Sequence, residues 1–101
     1  MRHRNKLMKM NKDTAHRRAM LRNLLTALFE HGAIITTKPK SKLLKKWADR
    51  MMTWGKKGDL HSRRLAARYL FGKSALQQLF DEWAPSMGER TSGFTRTVNY
   101  K

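Results

Sequence analysis

Arginine and lysine recur in this sequence where a helix would ordinarily exclude them. Arg17 and Arg18 follow the N-cap candidates Asp13 and Thr14, Lys38 and Lys40 follow Thr37, and Arg63 and Arg64 follow Asp59. Positive charge at a helix N-terminus opposes the macrodipole. Like charges four residues apart, as in Arg18/Arg22, Lys42/Lys46, Lys46/Arg50 and Arg64/Arg68, cost a further few tenths of a kcal/mol each. A row of phosphates turns these penalties into gains. Helix N-termini accept phosphate, and a neighbouring guanidinium or ammonium strengthens the contact. Local rules broken together point to a functional surface, and the chemistry is polyanion binding rather than bond-making.

Catalytic chemistry has little support. The four histidines, His3, His16, His31 and His61, have no metal-ligand spacing, and no HExxH, P-loop or GxSxG motif occurs. Cysteine is absent, which excludes a disulfide framework, a Cys-ligated zinc site and a thiol nucleophile. His16 and His61 fall on basic faces and suit hydrogen bonding to phosphate or ribose. His31 precedes Gly32 and suits a helix C-terminus. No enzyme, cofactor, metal or small-molecule substrate is expected.

The whole chain has the same sign. Of its 101 residues, 23 are Lys or Arg and 7 are Asp or Glu, a formal charge of +16. A compact domain so charged repels itself and calls for a polyanionic partner. The length allows one domain, and 40% hydrophobic residues supply one modest core, which argues against full disorder. No apolar run reaches the roughly 18 residues of a membrane span; Met20 to Phe29 is broken by Arg22, Asn23 and Thr26. A cleaved leader is not expected, because the segment after the basic start is amphipathic and no serine precedes Ser41. The acids are segregated: Ser74 to Glu89 holds Asp81, Glu82 and Glu89 and no Lys or Arg. RNA is preferred to DNA as the partner, because no single helix concentrates the cations into a groove-reading element.

Several elements must position these residues. Residues 1–12 carry Arg2, Arg4, Lys6, Lys9 and Lys12 without an acid and read as an extended basic arm that orders on nucleic acid. The spacing predicts a first helix from Asp13 or Thr14 to Gly32, with Met20, Leu21, Leu24, Leu25 and Leu28 on one face. The β-branched run Ala33 to Thr37 reads as a strand. A second helix follows Thr37, with Pro39 in its first turn. Leu43, Leu44, Trp47, Ala48, Met51 and Met52 lie on one side, and Lys38, Lys42, Lys45, Lys46 and Asp49 on the other. Gly55-Lys56-Lys57-Gly58 reads as a basic turn ending it.

A third helix is expected from Asp59 to Gly72, with His61, Arg64 and Arg68 opposite its apolar side. A fourth opens on the Ser74/Gln77 capping box and ends before Pro85. After a loop from Ser86 to Gly93, Phe94 to Tyr100 has strand composition and is expected to pair with Ile34 and Ile35. Trp47 and Trp83 read as core, while Trp54 is open to core or base stacking. The expectation is a single α+β domain over residues 13–101, about four helices on a small β-sheet, preceded by the arm.

Several segments resemble one family. Met1-Arg2-His3-Arg4, Ala15 to Asn23, Gly32 to Thr37, Lys56 to His61 with Arg63-Arg64, Phe80-Asp81-Glu82 with Ala84-Pro85, and Gly93 to Arg96 resemble the bacterial-type large-subunit ribosomal protein seventeen family, in order over nearly the whole chain. The chain departs at Ser86, where relatives commonly carry a basic residue, and at Pro39 and Ser41, where small helix formers are usual. The resemblance implies an α+β ribosomal protein near the exit of the nascent-peptide tunnel. It would bind large-subunit ribosomal RNA, contact neighbouring ribosomal proteins and support assembly, in a cytoplasmic ribosome or an organellar one. It implies RNA contacts at Arg2, His3, Arg4, His16, Arg17, Arg18, Arg22, His61, Arg63, Arg64 and Arg96. Charge and placement add Lys6, Lys9, Lys12, Lys38, Lys40, Lys42, Lys45, Lys46, Lys56, Lys57 and Arg68. A DNA-binding or nucleoid protein using the first three helices is the alternative, and a cationic membrane-surface protein is the third class.

Overall fold

Asp13 starts the first helix. Its carboxylate accepts the amide N–H of His16 at 2.7 Å, which satisfies a donor that the first turn leaves without a partner. The computed structural model describes residues 13–99; the expected arm, residues 1–12, lies outside the described residues. Helix α1 spans Thr14–His31 and stops at Gly32, which adopts the left-handed φ of +86° and donates to Leu28 O. Its buried stripe is Leu21, Leu25 and Phe29, with Leu24 and Leu28 half-buried beside it.

Helix α2, Lys38–Lys57, follows Thr37 as N-cap and carries proline in its first turn, as its sequence predicts. It buries Leu44, Ala48, Met51, Met52 and Gly55. Gly55 therefore belongs to the helix and not to a turn. A Cβ there would lie 3.1 Å from Ala84 Cβ and 3.2 Å from Leu79 Cδ1, so glycine lets the last part of the chain approach α2 closely. The stop is one residue past Lys57, at Gly58 with φ +69°.

Helix α3, Leu60–Ala67, is capped by Asp59 and is shorter than expected, giving way to a turn at Arg68 and Tyr69. Helix α4, Gly72–Gln78, opens after Phe71 and not at Ser74. Gly72 takes φ +78°, which turns the chain into the helix three residues early, with Phe71 and not Ser74 as N-cap. A π-helical turn at Leu79–Trp83 and a short helix α5, Ala84–Ser86, continue the same rod. The expected stop before Pro85 is thus replaced by a wider turn. Ala84 donates to Leu79 O, five residues back, directly before a proline whose ring clashes with an ordinary helical carbonyl.

The core lies where α1, α2 and the α4–α5 rod meet. Leu25, Met51, Met52 and Leu79 are fully enclosed, and Leu70, Ala75 and Phe94 close the sides. Trp83 packs at the end of α1, where its indole N–H donates to Phe29 O at 2.6 Å, a carbonyl in the helix's last turn that lacks a helical partner. Trp47 and Trp54 both pack on Tyr69, with ring centroids 4.9 and 5.9 Å away. All three tryptophans are half-buried at the core's edge.

The expected β-sheet is absent: no strand occurs among the described residues, and the fold there is helical, not α+β. Residues 33–37 and 94–99 are irregular. Two short strands on their own are marginal, and side chains fasten both segments instead. Ile34 and Phe94 pack on the helical core, while Ile35 and Val98 are 72% and 63% exposed. The Thr95 amide and carbonyl are taken by side chains of α2, so groups that a ladder would pair are already satisfied.

Two glycines test this packing. Gly32→Ala forces a Cβ to 2.8 Å from the Trp83 ring at a left-handed φ, and should cost about 1–3 kcal/mol. Gly55→Ala sets an overpacking cost of about 1–3 kcal/mol against a gain of about 1 kcal/mol in helix propensity, and should therefore destabilise less than Gly32→Ala. Urea midpoints at unchanged m-value are the measurement.

Candidate nucleic-acid interface

The helices display cations on three exposed fronts. On α1, Arg18 is exposed one turn before the half-buried Arg22; His16 is exposed, and Arg17 donates to Thr14 Oγ1 at 3.3 Å. On α2, Lys38, Lys42, Lys46 and Lys57 are exposed and Lys40 is half-buried. On α3, His61 and Arg64 are exposed, as is Arg68 in the turn that follows. Arg96 is exposed in the final irregular segment. The arm residues Arg2, His3, Arg4, Lys6, Lys9 and Lys12 lie outside the described residues.

The acids do little to neutralise these fronts. Asp13 and Asp59 cap helices, and Asp49 holds the final segment. Glu30, Asp81, Glu82 and Glu89 are exposed, and Asp81 and Glu82 line a shallow polar recess with Ser74, Gln77 and Gln78. Of the acidic corner expected from the sequence, Asp81 and Glu82 share a patch on the α4–α5 rod, while Glu89 lies in the turn after it.

Two of the expected interface lysines are used inside the protein. Lys45 Nζ donates to Thr95 O at 2.7 Å and pairs with Asp49 Oδ2 at 3.3 Å. Asp49 Oδ1 in turn accepts the Thr95 amide at 3.1 Å and its hydroxyl at 2.9 Å. Lys56 donates to the carbonyls of Gly88 and Arg90 and lies 5.8 Å from the Phe94 ring centre. These lysines staple the last segment to α2. Their acceptors are mostly backbone carbonyls, which no residue type announces.

Aromatic faces orient other cations. The guanidinium of Arg22 lies 4.0 Å over Phe71, that of Arg63 4.6 Å over Phe80, and that of Arg50 4.7 Å over Trp47. Such contacts contribute about 0.5–1 kcal/mol at exposed sites and leave much of the guanidinium edge available for donation. Arg50 and the exposed Lys73 are missing from the sequence-derived set. The three-residue spacing of Trp47 and Arg50 on α2 was the available signal for the first.

Ser62 is buried at 2% exposure and bonds to the cap of α3. The Ser62 hydroxyl, and next its amide, which donates to Asp59 Oδ1 at 2.7 Å, hold the Asp59 carboxyl below its ordinary value of 3.8. A lowered folded-state value means that the cap contributes fully above pH 3.8 and is lost as pH falls through the depressed value. Amide exchange at Ser62 should therefore accelerate in acid before the core amides do.

Asp49→Asn keeps the shape but removes the charge from the staple. It should cost about 1–2 kcal/mol and raise exchange at the Thr95 amide well above that at Met51. Unchanged Thr95 protection would mean that the staple does not hold the segment.

Among the described residues no group of three or more His, Asp or Glu is placed to hold a metal, and no helix is long and apolar enough to cross a membrane. Comparison with known proteins gives a consistent answer. Residues 20–101 match the family model described as ribosomal protein L17. The chain is 48% identical over 90 residues to large ribosomal subunit protein bL17 of Heliobacterium modesticaldum, covering 89% of this chain and 80% of that protein. The protein of the same name from Halothermothrix orenii is 49% identical over 90 residues, covering 89% and 79%. That from Desulfotalea psychrophila is 45% identical over 98 residues, covering 97% and 76%. With four-fifths of its length inside the family model and such identity to its members, this chain belongs to the ribosomal protein L17 family.

Proposed function

We propose that this protein is a structural constituent of the large ribosomal subunit that binds ribosomal RNA by phosphate neutralisation, near the exit of the nascent-peptide tunnel, and supports assembly. The observation that carries the reading is the display of exposed cations on α1, α2 and α3 in a chain with only 7 acids, three of them spent on two caps and a staple. The names of its relatives supply the particle. Its partners are large-subunit RNA and neighbouring ribosomal proteins, and its place is in the ribosome.

The mechanism is electrostatic and geometric. Exposed cations replace counterions along the RNA backbone, which supplies affinity and makes it depend on salt. The arginines held over Phe80 and Trp47 keep less rotamer freedom to lose on docking. The helical core fixes the spacing of the fronts, so that several phosphates are met at once.

In a filter-binding titration with large-subunit RNA, log affinity should fall with log salt by roughly 0.7–0.9 per phosphate contact. Arg18→Ala and Arg64→Ala should each lower that slope by about one unit and leave stability within about 0.5 kcal/mol. The protein should co-sediment with large subunits in moderate salt. A salt-independent affinity, or tighter binding to duplex DNA at matched salt, would remove the reading.

A further inference from the structure

We infer that Phe71, together with Arg22 above it, forms a stacking site for an unpaired RNA base. This rests on the RNA-binding reading and adds a non-electrostatic contact to it. Phe71 is 40% exposed, yet it is held in place. Its amide donates to Thr26 Oγ1 at 2.9 Å, and that hydroxyl donates to Arg22 O at 2.7 Å. A relay through one threonine thus ties the turn before α4 to α1, and the Arg22 guanidinium sits 4.0 Å over the ring.

A large apolar ring left accessible forgoes burial that the core could have supplied. The guanidinium covers one face of the ring, so a base adds to the pair by stacking on the outer side of the guanidinium or on the ring's other face, and either contact tolerates any base. The surroundings favour a base of a nucleic acid over a side chain of a protein partner. No acid occurs from Thr14 to Phe29 or from Leu60 to Phe80, and the exposed Arg18 and Lys73 flank the plate in sequence on either element. Arg22 Nε is buried without a hydrogen-bond partner, so cation–π contact rather than a carboxylate orients this arginine. A base on the ring would have its phosphates within a cationic neighbourhood.

The test compares the full-length protein's affinity for a single-stranded oligoribonucleotide and for the same oligomer with abasic residues, across a salt series. The wild type should prefer the intact oligomer by at least about fivefold. Phe71→Ala should lose most of that preference while keeping its salt slope, and Phe71→Trp should retain it. Phe71→Leu, which keeps apolar bulk but no ring face, should behave as Phe71→Ala; this separates loss of stacking from loss of packing. Equal affinity of the wild type for both oligomers, or a preference that survives in Phe71→Ala, overturns the stacking site. A flat salt response for both oligomers would instead overturn the RNA reading itself.

Discussion

Sixteen uncompensated positive charges push the surface of this small protein outward, and the fold must be held against that pressure from within. Apolar burial does most of the work. Leu25, Met51, Met52 and Leu79 are enclosed where α1, α2 and the α4–α5 rod meet, and each buried side chain of that kind contributes roughly 1.5–3 kcal/mol. The scarce acids are placed where one carboxylate does the most for the backbone. Asp13 and Asp59 each open a helix, and Asp49 secures the final segment through two oxygens. An acid used in this way is not available to neutralise a distant arginine. The cationic fronts and the stability of the fold therefore have a common origin.

The same economy explains why the last segment lies on helices and not in a sheet. Thr95 is held at its amide, hydroxyl and carbonyl by Asp49 and Lys45, and Lys56 takes two carbonyls of the preceding loop. Backbone groups satisfied by side chains gain little from a ladder. The result is a helical scaffold whose irregular segments are anchored at Ile34, Phe94 and Thr95 while Ile35 and Val98 face outward.

Most helix starts and stops were legible because they depend on neighbours in sequence; the end of α3 at Ala67, ahead of the expected Gly72, was not. Asp13, Thr37, Asp59, Gly32 and Gly58 stand where local chemistry demands a cap. The capping pattern at Ser74 misled because Gly72 permits the turn earlier, and the π turn before Pro85 has no local signature beyond the proline itself. The strand compositions at residues 33–37 and 94–99 misled because pairing is a decision between distant segments, and here α2 provides an alternative. At the candidate interface, charge located the cationic faces but could not sort them. The four-residue spacing of Lys45 and Asp49 hints at an internal pair that Lys42 and Lys46 lack, but only the packed chain shows that Lys45 and Lys56 meet backbone carbonyls. The Arg22–Phe71 contact joins residues far apart in sequence and was not legible at all.

Trp83 occupies the corner where α1 ends, with its ring at the surface of Gly32 and its N–H on Phe29 O. An indole so placed senses whether that carbonyl remains a neighbour, since losing the bond admits water and shifts emission to the red. Trp47 and Trp54, by contrast, share Tyr69 on another side of the core. The molecule thus carries intrinsic reporters at two corners, which Trp→Phe replacement at one corner would let be read at the other without attaching a label.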